Sequence, residues 1–175
     1  MADEGDRDAF AELVERYLPR VRRLLAALFN GSAEDMADAE QEILAGLWIG
    51  LARFRFDSSF RTYLYRFCRN KAIDLLRREG RHRRRIEAVL REAATAAAPA
   101  DPREGLDREE RRLQVRRALG ALAPDERVLV VMKDVEEMSV EEISAAMSLP
   151  AGTVKSRLHR VRGKLARRLG EGACP

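Results

Sequence analysis

Through the first eighty positions, apolar residues return every three or four places and show no convincing alternation at every second place. Phe10, Leu13, Val14, Tyr17, Leu18, Val21, Leu24, Leu25 and Leu28 form the first such series. That spacing lines one face of an α-helix, because 3.6 residues complete a turn. Asn30-Gly31 ends it, and Ser32 is placed to cap the next helix, with Asp35 three residues on. The second helix is expected to run from Asp35 to about Phe54 with Ile43, Leu44, Leu47, Trp48 and Leu51 inward. "RFDSS" interrupts the pattern. A third helix is expected from near Ser59 to about Arg78, burying Phe60, Leu64, Phe67, Cys68 and Leu75. With no strand periodicity, the fold class expected is all-α.

From Gly80 to about Gly105 the character changes. "RHRRR" is followed by an alanine-rich piece and by "APADPREG", with no large core residue after Leu90. A stretch unable to bury apolar surface acts as a tether. The expected organisation is therefore two small helical domains, residues 1–79 and 107–170, joined by a flexible linker at 80–106. In the second, Leu113, Leu119 and Leu122 share a helix, and Pro124 stands at the first turn of another. Ser139 and Glu142 form a capping box that opens a short helix. A turn at "SLPAG" then leads into a basic helix. Two helices joined by so short a turn make a helix-turn-helix, with Ile143 and Met147 packing on Val154 and Leu158.

The basic helix points to a ligand. Between Lys155 and Arg168 stand seven Lys or Arg and no acidic residue. Val154, Leu158, Val161 and Leu165 form its apolar stripe. Thr153, Lys155, Ser156, Arg157, Arg160 and Lys164 lie largely opposite, where a recognition helix meets the major groove. Arg157 is placed to fork onto a guanine.

The start of the chain has the opposite sign. Residues 1–50 carry eleven carboxylates against five arginines, a face suited to a basic protein surface. "MADEGDRDAF" lacks the basic-then-apolar pattern of a secretory signal, and no apolar run reaches the length of a membrane span. Cys68 and Cys174 match no metal spacing, and a reducing, cytoplasmic setting is expected. His82 and His159 have no Cys, Asp or Glu at ligand or triad spacing, and no glycine-rich phosphate loop is present. No catalytic residue, metal, cofactor or small-molecule substrate is expected.

Aromatics are concentrated elsewhere. Of ten in the chain, six lie between Phe54 and Phe67: Phe54, Phe56, Phe60, Tyr63, Tyr65 and Phe67. Phe60 and Phe67 share the core face of Leu64. Tyr65 is expected to point outward beside Thr62, Arg66 and Arg69, and Phe56 sits in the loop before Ser59. Aromatics interleaved with arginines suit an unpaired strand, since stacking on each base contributes roughly 1–3 kcal/mol. One module for duplex and one for single strand describes a protein that opens promoters.

At these residues the chain resembles a known family. "DMADAEQEILAGLW", "SSFRTYLYRFCRNKAIDLLRR" and "APDERVLVVMKDVEEMSVEEISAAMSLPAGTVKSRLHRVRGKLARRL" are similar to the bacterial sigma-70 family, in its extracytoplasmic-function (ECF) branch. The resemblance implies a region 2 bundle and a region 4 helix-turn-helix. It implies that Asp35, Asp38, Gln41 and Glu42 dock on the clamp helices of core RNA polymerase. It implies that the loop of Phe56, Asp57, Ser58 and Ser59 captures a flipped base of the −10 element. Arg61, Tyr65, Arg69, Asn70, Asp74, Arg77 and Arg78 would face the melted −10 strand, and the basic helix would read the −35 duplex. An anti-sigma factor is the implied inhibitor. Two positions depart from the family pattern. Tyr63 replaces a common tryptophan, and Phe56 stands where glycine is frequent.

Three other readings compete: a stand-alone helix-turn-helix regulator binding duplex DNA, a decoy held by a partner, and an enzyme. The aromatic-arginine cluster at 54–69 speaks against the first two, and the lack of an assembled site against the third.

Overall fold

The computed structural model describes residues 4–30, 32–90 and 108–171, and every regular element among them is helical. Helix α1 spans Glu4–Leu28, α2 Ala33–Leu51 and α3 Phe60–Leu90. In the second module α4 is Arg108–Gly120, α5 Pro124–Val130, α6 Val140–Met147 and α7 Ala151–Glu171. Helix α5 does not stop at Val130. It widens into a π-helical turn over Val131–Val135, in which the Glu136 N–H reaches back to the Val131 carbonyl at 2.9 Å.

Local chemistry accounts for most boundaries. The Ser32 hydroxyl lies 3.5 Å from the Asp35 N–H at the start of α2. Ser59 starts α3: its hydroxyl accepts from the Thr62 N–H at 3.2 Å and pairs with the Thr62 hydroxyl at 2.9 Å. Pro124 occupies the first turn of α5, where a missing N–H costs nothing.

Two expectations about length are corrected. Helix α2 ends at Leu51, short of Phe54. Helix α3 continues through Gly80 to Leu90, so the segment expected to begin the tether is helical. Arg, Glu, Ala and Leu sustain a helix, and a lone interior glycine subtracts only about 1 kcal/mol. The rest of the expected linker, 91–106, lies outside the described residues, as do residue 107 and Cys174.

Helices α1, α2 and α3 pack through Val21, Leu24, Leu25 and Leu28, through Ala39, Ile43 and Leu47, and through Leu64, Cys68 and Ala72, all buried. Gly46 and Gly50 let α3 come close to α2. A Cβ at Gly46 would stand 2.9 Å from the Phe67 ring, and one at Gly50 2.7 Å from the Tyr63 hydroxyl. An aromatic chain runs along this seam, with Tyr17 edge-on to Phe60, Phe54 against Tyr63, and Tyr63 stacked on Phe67.

The second module packs on the first. Val128, Leu129, Met132, Met138 and Ile143 belong to the same contiguous buried cluster as Leu25, Leu28 and Leu64. Leu122, Val130 and Val161 form a smaller cluster with Leu119 and Leu165. Arg127 is one of the polar ties between the modules. Its guanidinium donates to the Leu28 carbonyl at 2.7 Å, to Gly120 at 2.7 Å and to Leu122 at 3.0 Å. Those contacts satisfy a carbonyl left open at the end of α1 and close the α4–α5 corner.

Candidate nucleic-acid interface

The helix-turn-helix forms as its chemistry requires. The Ser139 N–H donates to the Glu142 carboxylate at 2.8 Å, and the Ser139 hydroxyl accepts from the Glu142 N–H at 3.0 Å. Ser148 ends α6 in the left-handed region, φ 54°. The Ser144 hydroxyl closes the turn on the Leu149 carbonyl at 2.5 Å. Val154, Leu158 and Val161 of α7 are buried, Val154 and Leu158 in one cluster with Ile143 and Met147. On the opposite face Lys155, Ser156, Arg160 and Lys164 are exposed, and Thr153 and Arg157 half-exposed. Not all of this charge is free. Lys164 is paired with Glu126 of α5 at 2.5 Å, and Arg162 with Asp134. Lys155, Arg157 and Arg160 remain outside these pairs and lie toward the start of α7, the end that reaches base edges in a groove-docked helix.

The loop between α2 and α3 presents one large aromatic. Phe56 is 84% exposed, with its backbone at φ 59°, and its ring touches Phe54 at 4.7 Å between centroids. A bulky side chain in that region is strained, which accounts for glycine being frequent at this position in the family pattern. Asp57 and Ser59 are exposed beside it and Ser58 is half-exposed.

Helix α3 divides the remaining strand-facing candidates. Asn70, Asp74, Arg77 and Arg78 are exposed, with Asp74 and Arg77 paired at 3.6 Å. Arg61, Tyr65 and Arg69, one turn apart, form a stripe that the second module covers. Tyr65, expected outward, is only 2% exposed. Its hydroxyl is enclosed near Glu136 without closing a hydrogen bond, and burial, followed by the Glu136 charge, pushes its ionisation upward. Arg69 pairs with Asp125 at 2.6 Å. Arg61 donates to the Glu136 main-chain carbonyl, while its Nε is buried without a partner.

Glu136 itself was not singled out by spacing or motif. Its side chain is 3% exposed and accepts from Arg23 at 2.8 Å, with Arg20 at 3.6 Å. The Arg20 guanidinium in turn lies 5.4 Å from the centre of the Tyr17 ring. Arg20 and Arg23 sit on the polar side of α1, where the sequence offers no signal to separate them from other surface arginines.

The acidic face of α2 is open. Asp38, Gln41 and Glu42 are exposed, Asp35 half so, and Ile49 two to three turns on is 67% exposed. Glu42 and Arg78 approach to 3.9 Å, which brings the acidic face against the end of the α3 face. Among the described residues no three His, Cys, Asp or Glu group as a metal site, and no helix is long and apolar enough to cross a membrane.

The family model of sigma-70 region 2 matches residues 13–82, and that of sigma-70 region 4 matches 112–165. The ECF RNA polymerase sigma factor SigM of Mycobacterium tuberculosis is 34% identical over 166 residues, covering 95% of this chain and 80% of SigM. The chain belongs to the ECF branch of the sigma-70 family. A second relative, the ECF RNA polymerase sigma-E factor of Escherichia coli, is 34% identical, over 91% of this chain and 85% of that protein. The fold is also that of the sigma factor RpoE from Bartonella quintana, solved in complex with the anti-sigma factor NepR. There the TM-score is 0.72 at 23% identity, over 93% of this chain and 97% of RpoE.

For an ECF sigma factor, the two matched regions carry the two surfaces described above. Region 2 holds the acidic face of α2, the Phe56 loop and the α3 stripe. Region 4 holds the helix-turn-helix, and in this conformation it also covers part of the α3 stripe.

Proposed function

We propose that this ECF sigma factor docks on core RNA polymerase through Asp35, Asp38, Gln41 and Glu42. It reads duplex −35 DNA through Thr153, Lys155, Ser156, Arg157, Arg160 and Lys164. It holds the unpaired −10 strand on the Phe56–Ser59 loop and on the α3 face made by Arg61, Tyr65, Arg69, Asn70, Asp74, Arg77 and Arg78. The observation that carries this reading is one polypeptide with two unlike surfaces. One is a capped helix-turn-helix with exposed cations early in its second helix. The other is an exposed, strained aromatic loop beside an arginine-bearing helix. Duplex DNA keeps its base faces hidden, so an exposed aromatic finds a stacking partner only on a melted strand.

Docking through α2 is supported by the exposed carboxylates of Asp38 and Glu42 and by the exposed apolar Ile49 further along the helix. SigM and sigma-E are named RNA polymerase sigma factors, which supports the same partner. Inhibition by an anti-sigma factor belongs to the same reading, supported by the fold shared with RpoE. The site of action is the bacterial cytoplasm, where polymerase and promoter meet.

The test is run-off transcription with core RNA polymerase and a library of promoter templates, with and without the protein. Specific transcripts that depend on the protein are expected. Their absence from every template would refute the reading. A footprint on duplex DNA at nanomolar protein without polymerase would favour the stand-alone regulator.

A further inference from the structure

The stripe Arg61–Tyr65–Arg69 has an unusual cover. Both of its arginines meet a carboxyl-bearing residue of the second module: Asp125 accepts from Arg69 at 2.7 Å, and Glu136 lies over Arg61. Between them the Tyr65 hydroxyl is buried and makes no hydrogen bond. Two more arginines close on the Glu136 carboxylate from α1, Arg23 at 2.8 Å and Arg20 at 3.6 Å. The Arg61 Nε remains buried and unpartnered, so the cluster holds more donors than Glu136 satisfies. Two arginines on one carboxylate, a third on the main-chain carbonyl of the same residue with a donor to spare, and a buried hydroxyl beside them suit a phosphate, which offers more oxygens than a carboxylate.

We propose that Arg20, Arg23 and Arg61 form a phosphate-binding site for a single DNA strand, and that Glu136, with Asp125 on Arg69, occupies this surface in the closed molecule in place of phosphates. The proposal rests on the strand-binding reading of α3 and adds Arg20 and Arg23 to it. It also gives the closed arrangement a consequence. Strand and second module compete for the same arginines, so strand affinity is reduced by the fraction of molecules that are closed.

The segment that delivers Glu136 is built for this placement. The π-helical turn at Val131–Val135 shifts the register of the chain, and Glu137 follows with φ 54°. A regular α-helix through these residues would aim position 136 elsewhere. π-Turns of this kind recur at functional sites.

The experiment uses the full chain and a short fluorescein-labelled single-stranded DNA, read by anisotropy at low salt, with the radius of gyration from small-angle scattering. Glu136→Gln with Asp125→Asn removes the competing charges and keeps the arginines. This variant is expected to expand and to bind the strand at least about tenfold tighter, the factor removed when a state closed about nine-tenths of the time is opened. Arg20→Ala with Arg23→Ala also breaks the contact, and so also expands, but binds more weakly than the acid-side variant. Equal gains from both variants would reduce the cluster to a structural tie, and no gain from the acid-side variant would refute the competition. Should the Glu136 substitution prevent folding, Asp125→Asn alone at the more exposed pair decides. A smaller gain in the same direction supports the proposal, and unchanged affinity overturns it. Run-off transcription by the parent protein separates this from the broader reading. A protein that initiates transcription but fails the strand comparison loses only this proposal. One that never initiates loses the sigma-factor reading, while the strand comparison still decides whether the arginines hold phosphate.

Discussion

Phe56 shows how one residue can be legible in type and illegible in conformation. The sequence placed an aromatic in a loop next to Asp57-Ser58-Ser59; its left-handed backbone, φ 59°, appears only in the fold. A non-glycine residue there is strained by roughly 1–2 kcal/mol. Phe56→Gly relieves that strain while losing the contact with Phe54, and Phe56→Ala loses the contact and keeps the strain. The glycine variant is therefore expected to be the more stable of the two by about 1 kcal/mol in chemical denaturation. Both should weaken capture of the −10 strand by roughly 1–3 kcal/mol if the ring stacks on a base. An alanine variant at least as stable as the glycine one would show that the backbone is unstrained. Tyr65 is the opposite case. Its spacing from Leu64 read as outward, yet in the fold it is buried, with Glu136 of the second module beside it. The second module is a partner that helical periodicity within one helix cannot register. Cys68 was legible throughout, as a small inward residue. Its thiol is buried, and burial pushes its pKa up to about 12. The group stays protonated in the folded chain, so the stability it supplies is complete below the ordinary value near 9.0 and drains as pH rises toward 12. In a Cys174→Ser variant, a thiol reagent at mildly alkaline pH should label Cys68 no faster than the protein opens. Rapid labelling of the native protein would contradict the burial.

At the scale of elements, the helices were readable because each carries its own signal: an apolar face at helical spacing, a capping hydroxyl, a proline in the first turn. The π-helical turn was not, because "VMKDV" has the composition of ordinary helix; Met132 within it and Met138 just beyond it are both buried in the shared core. The continuation of α3 past Arg78 was missed for a related reason, since its arginine run reads equally as solvated loop or solvated helix. Two elements carry the predicted division of labour. In α7, Arg157→Ala should weaken −35 recognition by about 1–3 kcal/mol and leave polymerase affinity unchanged. In α2, Asp38→Arg with Glu42→Arg should strongly reduce binding to core polymerase, because the exposed carboxylates become like charges against a basic surface. That pair should leave −35 duplex binding by the helix-turn-helix intact. Electrophoretic shift on −35 duplex and pull-down with core polymerase, run on both variants, check the two halves together. A swap of phenotypes, or a loss of both activities in either variant, would break the assignment.

On the scale of the molecule, charge asymmetry and composition separated two modules but said nothing of how they meet. That depends on residues far apart in sequence whose individual signals are ordinary: Leu28 with Leu129, Arg127 with the end of α1, Glu136 with Arg23. The interface is continuous with both cores, and this sets the expected unfolding behaviour. Two domains joined only by a tether melt separately, whereas two that share a buried cluster lose their packing together. The protein alone should therefore show one calorimetric transition whose measured enthalpy equals the van't Hoff value. Arg127 is the residue with which to perturb it. Its guanidinium, partly buried and so driven toward lower pKa, holds three main-chain carbonyls at 2.7–3.0 Å. Arg127→Ala leaves those acceptors in a place with little water, at a cost of roughly 2–4 kcal/mol. Two of the carbonyls, Gly120 and Leu122, lie within the second module, and the third, Leu28, belongs to the first. The substitution should therefore loosen the contact between modules as well as the α4–α5 corner, and part of the single transition should separate into two. Two resolved transitions in the parent protein would mean that the shared core does not couple the modules, whereas a single transition that splits only on loss of Arg127 locates the coupling at that side chain and the leucines around it.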